Sequence, residues 1–153
     1  MSHEEKNTVL QIIIGIAVNI WVIMKVRGLY ASGLMDGPDA IQIWAETMFW
    51  VIIYAVIGGI ILAIIGSILF AMIEAAVTGE ADQNFITDER DRMIANIGNK
   101  VTVGFTGLGF IVLIAGIKFG YQPIDCLVIL MFSFSLGGLF GELVKFARYR
   151  MSI

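Results

Sequence analysis

Four long stretches of the chain carry no charged residue, and short segments rich in charged residues, Gly or Pro separate them. These stretches are residues 7–24, 47–73, 101–117 and 126–141. At about 1.5 Å of rise per helical residue they are about 24 to 40 Å long, and the shortest is extended by apolar neighbours to match a hydrocarbon core about 30 Å thick. The pattern predicts four transmembrane helices, approximately 7–34, 43–77, 88–118 and 123–148, in one membrane domain covering residues 1–153.

The breaks between these stretches indicate where the helices begin and end. Asp36-Gly37-Pro38-Asp39 predicts a turn after the first helix, and the polar residues 78–84 predict a solvated loop after the second. Thr87 is the predicted N-cap of the third helix, because its hydroxyl can accept a backbone N–H. That helix then meets no breaker at Asn99-Lys100. We therefore expect an all-α four-helix bundle whose long third helix projects into the cytoplasm.

Composition narrows the class of protein further. Hydrophobic residues make up 58% of the 153 and charged residues only 15%, which excludes a soluble domain folded around one core. One Cys and one His provide no cluster of ligands for zinc, copper, haem or iron–sulfur, so no cofactor is expected. The net charge is −3 and the basic residues are dispersed, so nucleic acid is not an expected partner.

The distribution of Lys and Arg predicts the orientation in the membrane. With both termini in the cytoplasm, the basic residues on the inner side are Lys6, Arg90, Arg92, Lys100, Lys145, Arg148 and Arg150. Only Lys25, Arg27 and Lys118 remain outside, where Glu46 and Asp125 are expected to pair with them. The C-terminal mixture of cations and aromatics suits the headgroup region, so membrane lipids are expected partners.

Small residues recur along two of the predicted helices. On helix two they are Ala55, Gly59, Ala63, Ser67, Ala71 and Ala75, and on helix four Ser133, Gly137 and Gly141. A small residue at every fourth position permits close backbone approach, as in small-xxx-small packing. The stripe on helix two is either a dimer interface or an internal packing face, and the two stripes are expected to face one another.

Polar residues within or beside the predicted spans suggest two further hypotheses. Gln11 and Asn19 share a face of helix one, where buried amides act as structural glue between helices or border a substrate path. Glu74, Glu142 and Lys100 are expected to form one charged layer that ties together the inner ends of helices two, three and four. No charged residue occurs near the middle of any span, which argues against a proton-coupled exporter.

The densest group of charges precedes the third span and consists of Asp88, Glu89, Arg90, Asp91 and Arg92. Ion pairs of Asp88 and Glu89 with Arg92 would stabilise a solvated helix, and the ordered charges could also dock a partner. Followed by Ile94 and a transmembrane helix, Asp-Glu-Arg-Asp resembles the signature of a family of small bacterial and archaeal membrane proteins, catalogued as a domain of unknown function. The resemblance covers mainly residues 87–117. It implies a four-helix fold in a bacterial or archaeal cytoplasmic membrane, and no catalytic role.

These features favour a non-enzymatic membrane protein that acts by association. It would be a homo-oligomer or an accessory subunit that binds other membrane-protein chains. The alternative is a small transporter or channel with a polar path along helix one, bordered by the Gly-rich helix three. A membrane enzyme using Asp88, Glu89 and Asp91 ranks last, because acids held among arginines are poor general acids or bases.

Overall fold

A computed structural model describes residues 3–78 and 88–151, and this part of the chain forms four α-helices with no strand. They are α1 (His3–Ala31), α2 (Ala40–Thr78), α3 (Glu89–Lys118) and α4 (Pro123–Arg150). All four are long and apolar enough to cross a membrane. The prediction of an all-α chain with four such helices is confirmed. Of the loop predicted at residues 78–84, Thr78 is the last residue of α2, and the rest lies outside the described residues.

The helices begin and end where local chemistry allows. Helix α1 ends at Ala31, three residues before the predicted bound, because Gly33 adopts a left-handed conformation with φ of 70°. Gly120 has φ of 83° and accomplishes the turn between α3 and α4. Pro123 then occupies the first turn of α4, where its missing N–H breaks no hydrogen bond.

The helices pack in the order α2, α1, α4, α3. The α3–α4 interface is by far the most extensive, α1 packs against both α4 and α2, and α2 touches α4 only locally. The chain begins and ends at the same end of this arrangement, because Glu5 forms an ion pair with Arg150. We call this the terminal end, and the opposite end, which carries the turns at residues 32–39 and 119–122, the loop end.

Helices α3 and α4 approach closely because glycines meet at their interface. A Cβ atom added to Gly141 would lie 2.9 Å from the carbonyl oxygen of Gly98, and one added to Gly98 would lie 2.8 Å from the carbonyl oxygen of Gly141. The Thr102 hydroxyl donates across this interface to the carbonyl oxygen of Gly137, at 3.1 Å. Ser133 packs against Gly109. Small side chains therefore bring the two backbones together, as in other membrane helix pairs.

The expectation that the two small-residue stripes face one another is therefore wrong. The small residues of α4 face α3, whereas α2 runs along α1, where Gly59 and Gly66 lie against Ile14 and Leu10. The stripe of α2 turns away from α1, because a spacing of four residues advances about 40° per step around a helix. Ala55, Gly59, Ala63 and Ala71 are half-buried, and Ser67 and Ala75 are exposed.

The main buried cluster lies towards the loop end. Met35 from the α1–α2 turn and Met48 from α2 are both only 2% exposed. They pack with apolar residues of α1, α2 and α4, namely Val22, Val26, Val51, Ile124 and Val128. This cluster fixes the first part of α2 to the rest of the protein. Further along, the most hydrophobic stretch of α2 contains no buried residue.

Candidate functional site

Charged and aromatic residues from three helices meet at the terminal end. The Arg150 guanidinium lies 3.1 Å from the Glu5 carboxylate, and it also lies over the Phe146 ring at 5.4 Å. Glu5 is buried even though it is charged, as expected for a carboxylate held by a cation. The contact joins the start of α1 to the end of α4. Glu5 was not among the residues singled out by the sequence, whereas Phe146 belongs to the C-terminal mixture of cations and aromatics noted there.

The charged motif forms the third part of this cluster. Asp88, not Thr87, is the N-cap of α3, and Thr87 lies outside the described residues. The Asp88 carboxylate accepts from the Glu89 backbone N–H at 2.6 Å, and the Asp88 backbone N–H donates to the Asp91 carboxylate at 3.3 Å. Two acids of the motif are thus committed to a capping box, which satisfies backbone donors at the start of the helix.

Asp91 also connects the motif to α4. Its carboxylate interacts with the hydroxyl of Tyr149, the penultimate residue of α4, and the charge of Glu4 of α1 acts on the same hydroxyl. The first turn of α3 therefore lies beside the last turn of α4 and the first turn of α1. Ile94, which follows the motif, is 5% exposed and anchors this turn in the protein.

Unlike the two aspartates, the two arginines of the motif are not held by contacts within the described part of the protein. Arg90 and Arg92 are exposed, and neither forms an ion pair with any of the described residues. The predicted pairs of Arg92 with Asp88 and Glu89 are absent from this part of the chain, because Asp88 is directed to the helix start. Glu89 is exposed as well. The motif thus presents two guanidinium groups and one carboxylate on a fixed helix end.

The predicted charged layer has a different arrangement. Glu142 pairs with Lys145 of its own helix, at 2.7 Å, and not with Lys100. Lys100 is exposed on α3. The side chain of Glu74 lies outside the described residues. Spacing of three residues on one helix brings Glu142 and Lys145 together without any contribution from a neighbouring helix.

Asn19 acts as a connection between helices. It is only 6% exposed, its amide N–H donates to the carbonyl oxygen of Gly15 at 2.8 Å, and its Oδ1 accepts from the Ser135 hydroxyl of α4 at 2.8 Å. Gln11 is half-buried and makes no side-chain hydrogen bond within the described part of the chain. Of the two predicted polar residues, Asn19 therefore forms a hydrogen-bonded bridge between α1 and α4. The sequence alone did not identify Ser135 as its partner.

At the loop end, the predicted pairing of cations with acids is wrong for the described residues. Asp125 accepts a hydrogen bond from the Tyr30 hydroxyl of α1. Lys118 lies over the Phe119 ring, at 5.8 Å, and Glu46 is exposed with no ion pair among the residues described. Asp125 therefore joins α4 to α1 through a neutral donor. Among the described residues, the loop end has no comparable gathering of charged residues from three helices.

Four apolar helices that can each span a bilayer define the class: the chain fits a multi-pass α-helical membrane protein. Within the described residues, no group of three His, Cys, Asp or Glu side chains is placed to hold a metal ion. Comparison with protein-family models, curated proteins and solved structures found no match to this chain. The particular function must therefore be argued from its own residues.

Proposed function

We propose that this protein acts by association, as a homo-oligomer or as an accessory subunit of a membrane complex, and not as an enzyme. The proposal rests on the arrangement of charged residues at the terminal end. There, Asp88 and Asp91 fix the start of α3, Tyr149 connects it to α4, and Arg90 is left exposed. Charges on a rigid helix end make direction-dependent contacts with a partner and cost little ordering entropy when they bind.

The terminal end is the cytoplasmic side in this proposal. It carries most of the basic residues of the described chain, as the distribution of Lys and Arg in membrane proteins requires. Helix α3 is 30 residues long, or about 45 Å, which exceeds a hydrocarbon core of about 30 Å. The excess at its start projects into the cytoplasm together with the start of α1 and the end of α4. A cytoplasmic or membrane-bound partner would meet Glu89, Arg90 and Arg92 there.

Transport along helix one has weaker support. Both hydrogen-bonding ends of the Asn19 amide are occupied by protein groups, Gly15 and Ser135. Helix α4 packs between α1 and α3, and α1 and α3 have no extensive contact with one another within the described residues. Gly109 and Gly116 of α3 pack directly against α4 side chains. Asn19, Gly109 and Gly116 are therefore explained by packing, whereas no atom lies within 4 Å of a Cβ added to Gly104 or Gly107.

The test is the native mass of the protein after gentle extraction from its own membrane, with copurifying chains identified by mass spectrometry. Multiples of one chain indicate a homo-oligomer, and a reproducible second chain indicates an accessory subunit. Reversing the charges with Arg90→Glu and Arg92→Glu should remove the partner. The matched control, Lys25→Glu with Arg27→Glu at the loop end, should retain it. A monomer in both mild detergent and lipid, with nothing recovered by crosslinking, would refute the proposal.

A further inference from the structure

The contacts between helices establish which residues lie at the same height. Gly66 of α2 packs against the Leu10 side chain of α1. Leu10 is five residues from Glu5, which pairs with Arg150 of α4. Because α1 and α4 run in opposite directions, a step of five residues from Arg150 reaches Lys145. Gly66 therefore lies at the height of Lys145.

At this height, α3 and α4 already carry charged residues. The Lys145 side chain packs over Gly98 of α3. Lys100 lies on α3 about 3 Å closer to the loop end than Gly98, and Glu142 lies on α4 about 5 Å closer to the loop end than Lys145. Asn99 and Lys100 are exposed. From this height to the terminal end, the surface of α3 and α4 is therefore mostly polar, and Met93 is the large apolar side chain exposed on this part of α3.

Helix α2 is apolar over the same range. Its uncharged sequence continues to Ile73, about 10 Å beyond Gly66. Within residues 64–73, six large apolar side chains are each about half exposed or more: Ile64, Ile65, Ile68, Leu69, Met72 and Ile73. The apolar surface of α2 therefore extends about 14 Å further towards the terminal end than the apolar surfaces of α3 and α4.

The character of this surface indicates what covers it. At about 100° per residue, the six side chains extend over about half of the helix circumference. They are all large, whereas the residues of α2 that approach α1 include Gly59 and Gly66. Protein-facing surfaces of membrane helices favour small residues, as the contact of Gly98 with Gly141 illustrates in this chain. The surface is also continuous with the transmembrane part of the same helix.

We infer that residues 64–73 of α2 are covered by lipid acyl chains, so that the hydrocarbon region reaches about 14 Å further along α2 than along α3 and α4. The protein would then have a wedge-shaped apolar belt, thicker at α2 and thinner at α3. A bilayer accommodates such a difference by tilting of the protein or by local thickening beside the longer helix. The partner that we infer for this surface is therefore the lipid bilayer, whose thickness adapts locally to α2.

Spin labelling in reconstituted vesicles of phosphatidylcholine and phosphatidylglycerol tests this inference. Met72→Cys is made in the background Cys126→Ala and labelled with a nitroxide, and its collisions with oxygen and with a water-soluble nickel chelate are compared. Ile57→Cys, at an exposed position in the middle of α2, provides the lipid reference, and Arg148→Cys, near the terminal end of α4, provides the aqueous reference. We expect collisions with oxygen to exceed those with nickel at Met72, as at Ile57, and the order to be reversed at Arg148.

Two results would overturn the inference, and each identifies a different environment. A nickel collision rate at Met72 equal to that at Arg148 would place the end of α2 in water. Low collision rates with both reagents would mean that protein, such as a second copy of this chain, covers the surface. Ile68→Cys in a Cys126→Ser background repeats the measurement independently, so poor folding of one variant does not decide the outcome.

Discussion

Gly141→Ala is the substitution that most directly tests the packing of α3 against α4. The new methyl carbon would lie 2.9 Å from the carbonyl oxygen of Gly98 and would also meet the Thr102 hydroxyl. A contact this short with backbone cannot be relieved by rotating a side chain, so the helices must separate. Overpacking of this kind costs about 1–3 kcal/mol. Separation would also weaken the hydrogen bond from Thr102 to Gly137, which measures 3.1 Å.

Gly138→Ala is the matched control, since no atom lies within 4 Å of a Cβ added there on the same helix. Both substitutions gain about 0.5–1 kcal/mol from the lower flexibility of Ala, and their difference isolates the packing term. We expect Gly141→Ala to be about 1–3 kcal/mol less stable than Gly138→Ala. The assay is a titration of detergent-solubilised protein with sodium dodecyl sulfate, with the folded fraction measured by brief proteolysis. Equal stability of the two variants would refute the argument for close approach.

Two further predictions concern hydrogen bonds at named positions. Asn19→Leu should lower the free energy of unfolding by about 1 kcal/mol, because interhelical hydrogen bonds in membranes contribute about 0.6–1.7 kcal/mol. A double-mutant cycle with Ser135→Ala should show coupling, and strictly additive effects would contradict the bridge seen at 2.8 Å. Asp88→Ala should cost about 1 kcal/mol through loss of the N-cap. It should speed amide exchange in the first turn of α3, whereas Asp39→Ala, at an exposed turn position, should leave that turn unchanged.

The fold was largely predictable from the sequence because each span is a continuous uncharged stretch. Charged residues near the ends of each stretch locate its bounds to within a few residues, as Lys118 does for α3. The turn around Gly37-Pro38 follows from the conformational limits of its own residues. These signals are local, so they do not depend on how the helices pack against one another.

The pairing of helices was not predictable by the same means. A search for small residues at every fourth position emphasised α2, where the stripe turns away from its neighbour. In α3 the residues that pack against α4, including Thr102, Gly109 and Gly116, recur at intervals of seven. Two helices that cross at a small angle keep contact along a period close to seven residues, so this spacing is the informative one. Such a search would have favoured α3 with α4.

The candidate site was only partly predictable, for a related reason. The charges of the motif are evident in the sequence, but which of them remain available depends on contacts made elsewhere. Asp88 and Asp91 are used by the start of their own helix, and Tyr149 reaches Asp91 from a part of the chain that is distant in sequence. A sequence supplies the charges of a helix end. Only the packing determines that Glu89, Arg90 and Arg92 are the motif residues left exposed without an ion pair among the described residues.

The two proposals concern opposite edges of the molecule, so their experiments report on different surfaces. Arg90 and Arg92 project from α3, where the surface is polar, and Met72 lies on α2, where it is apolar at nearly the same height. If lipid surrounds Met72 and charge reversal at Arg90 and Arg92 removes a partner, the partner approaches from the α3 side, because the α2 side is then occupied by acyl chains. If protein covers Met72 instead, association runs through α2, and the charge reversal should leave the complex intact.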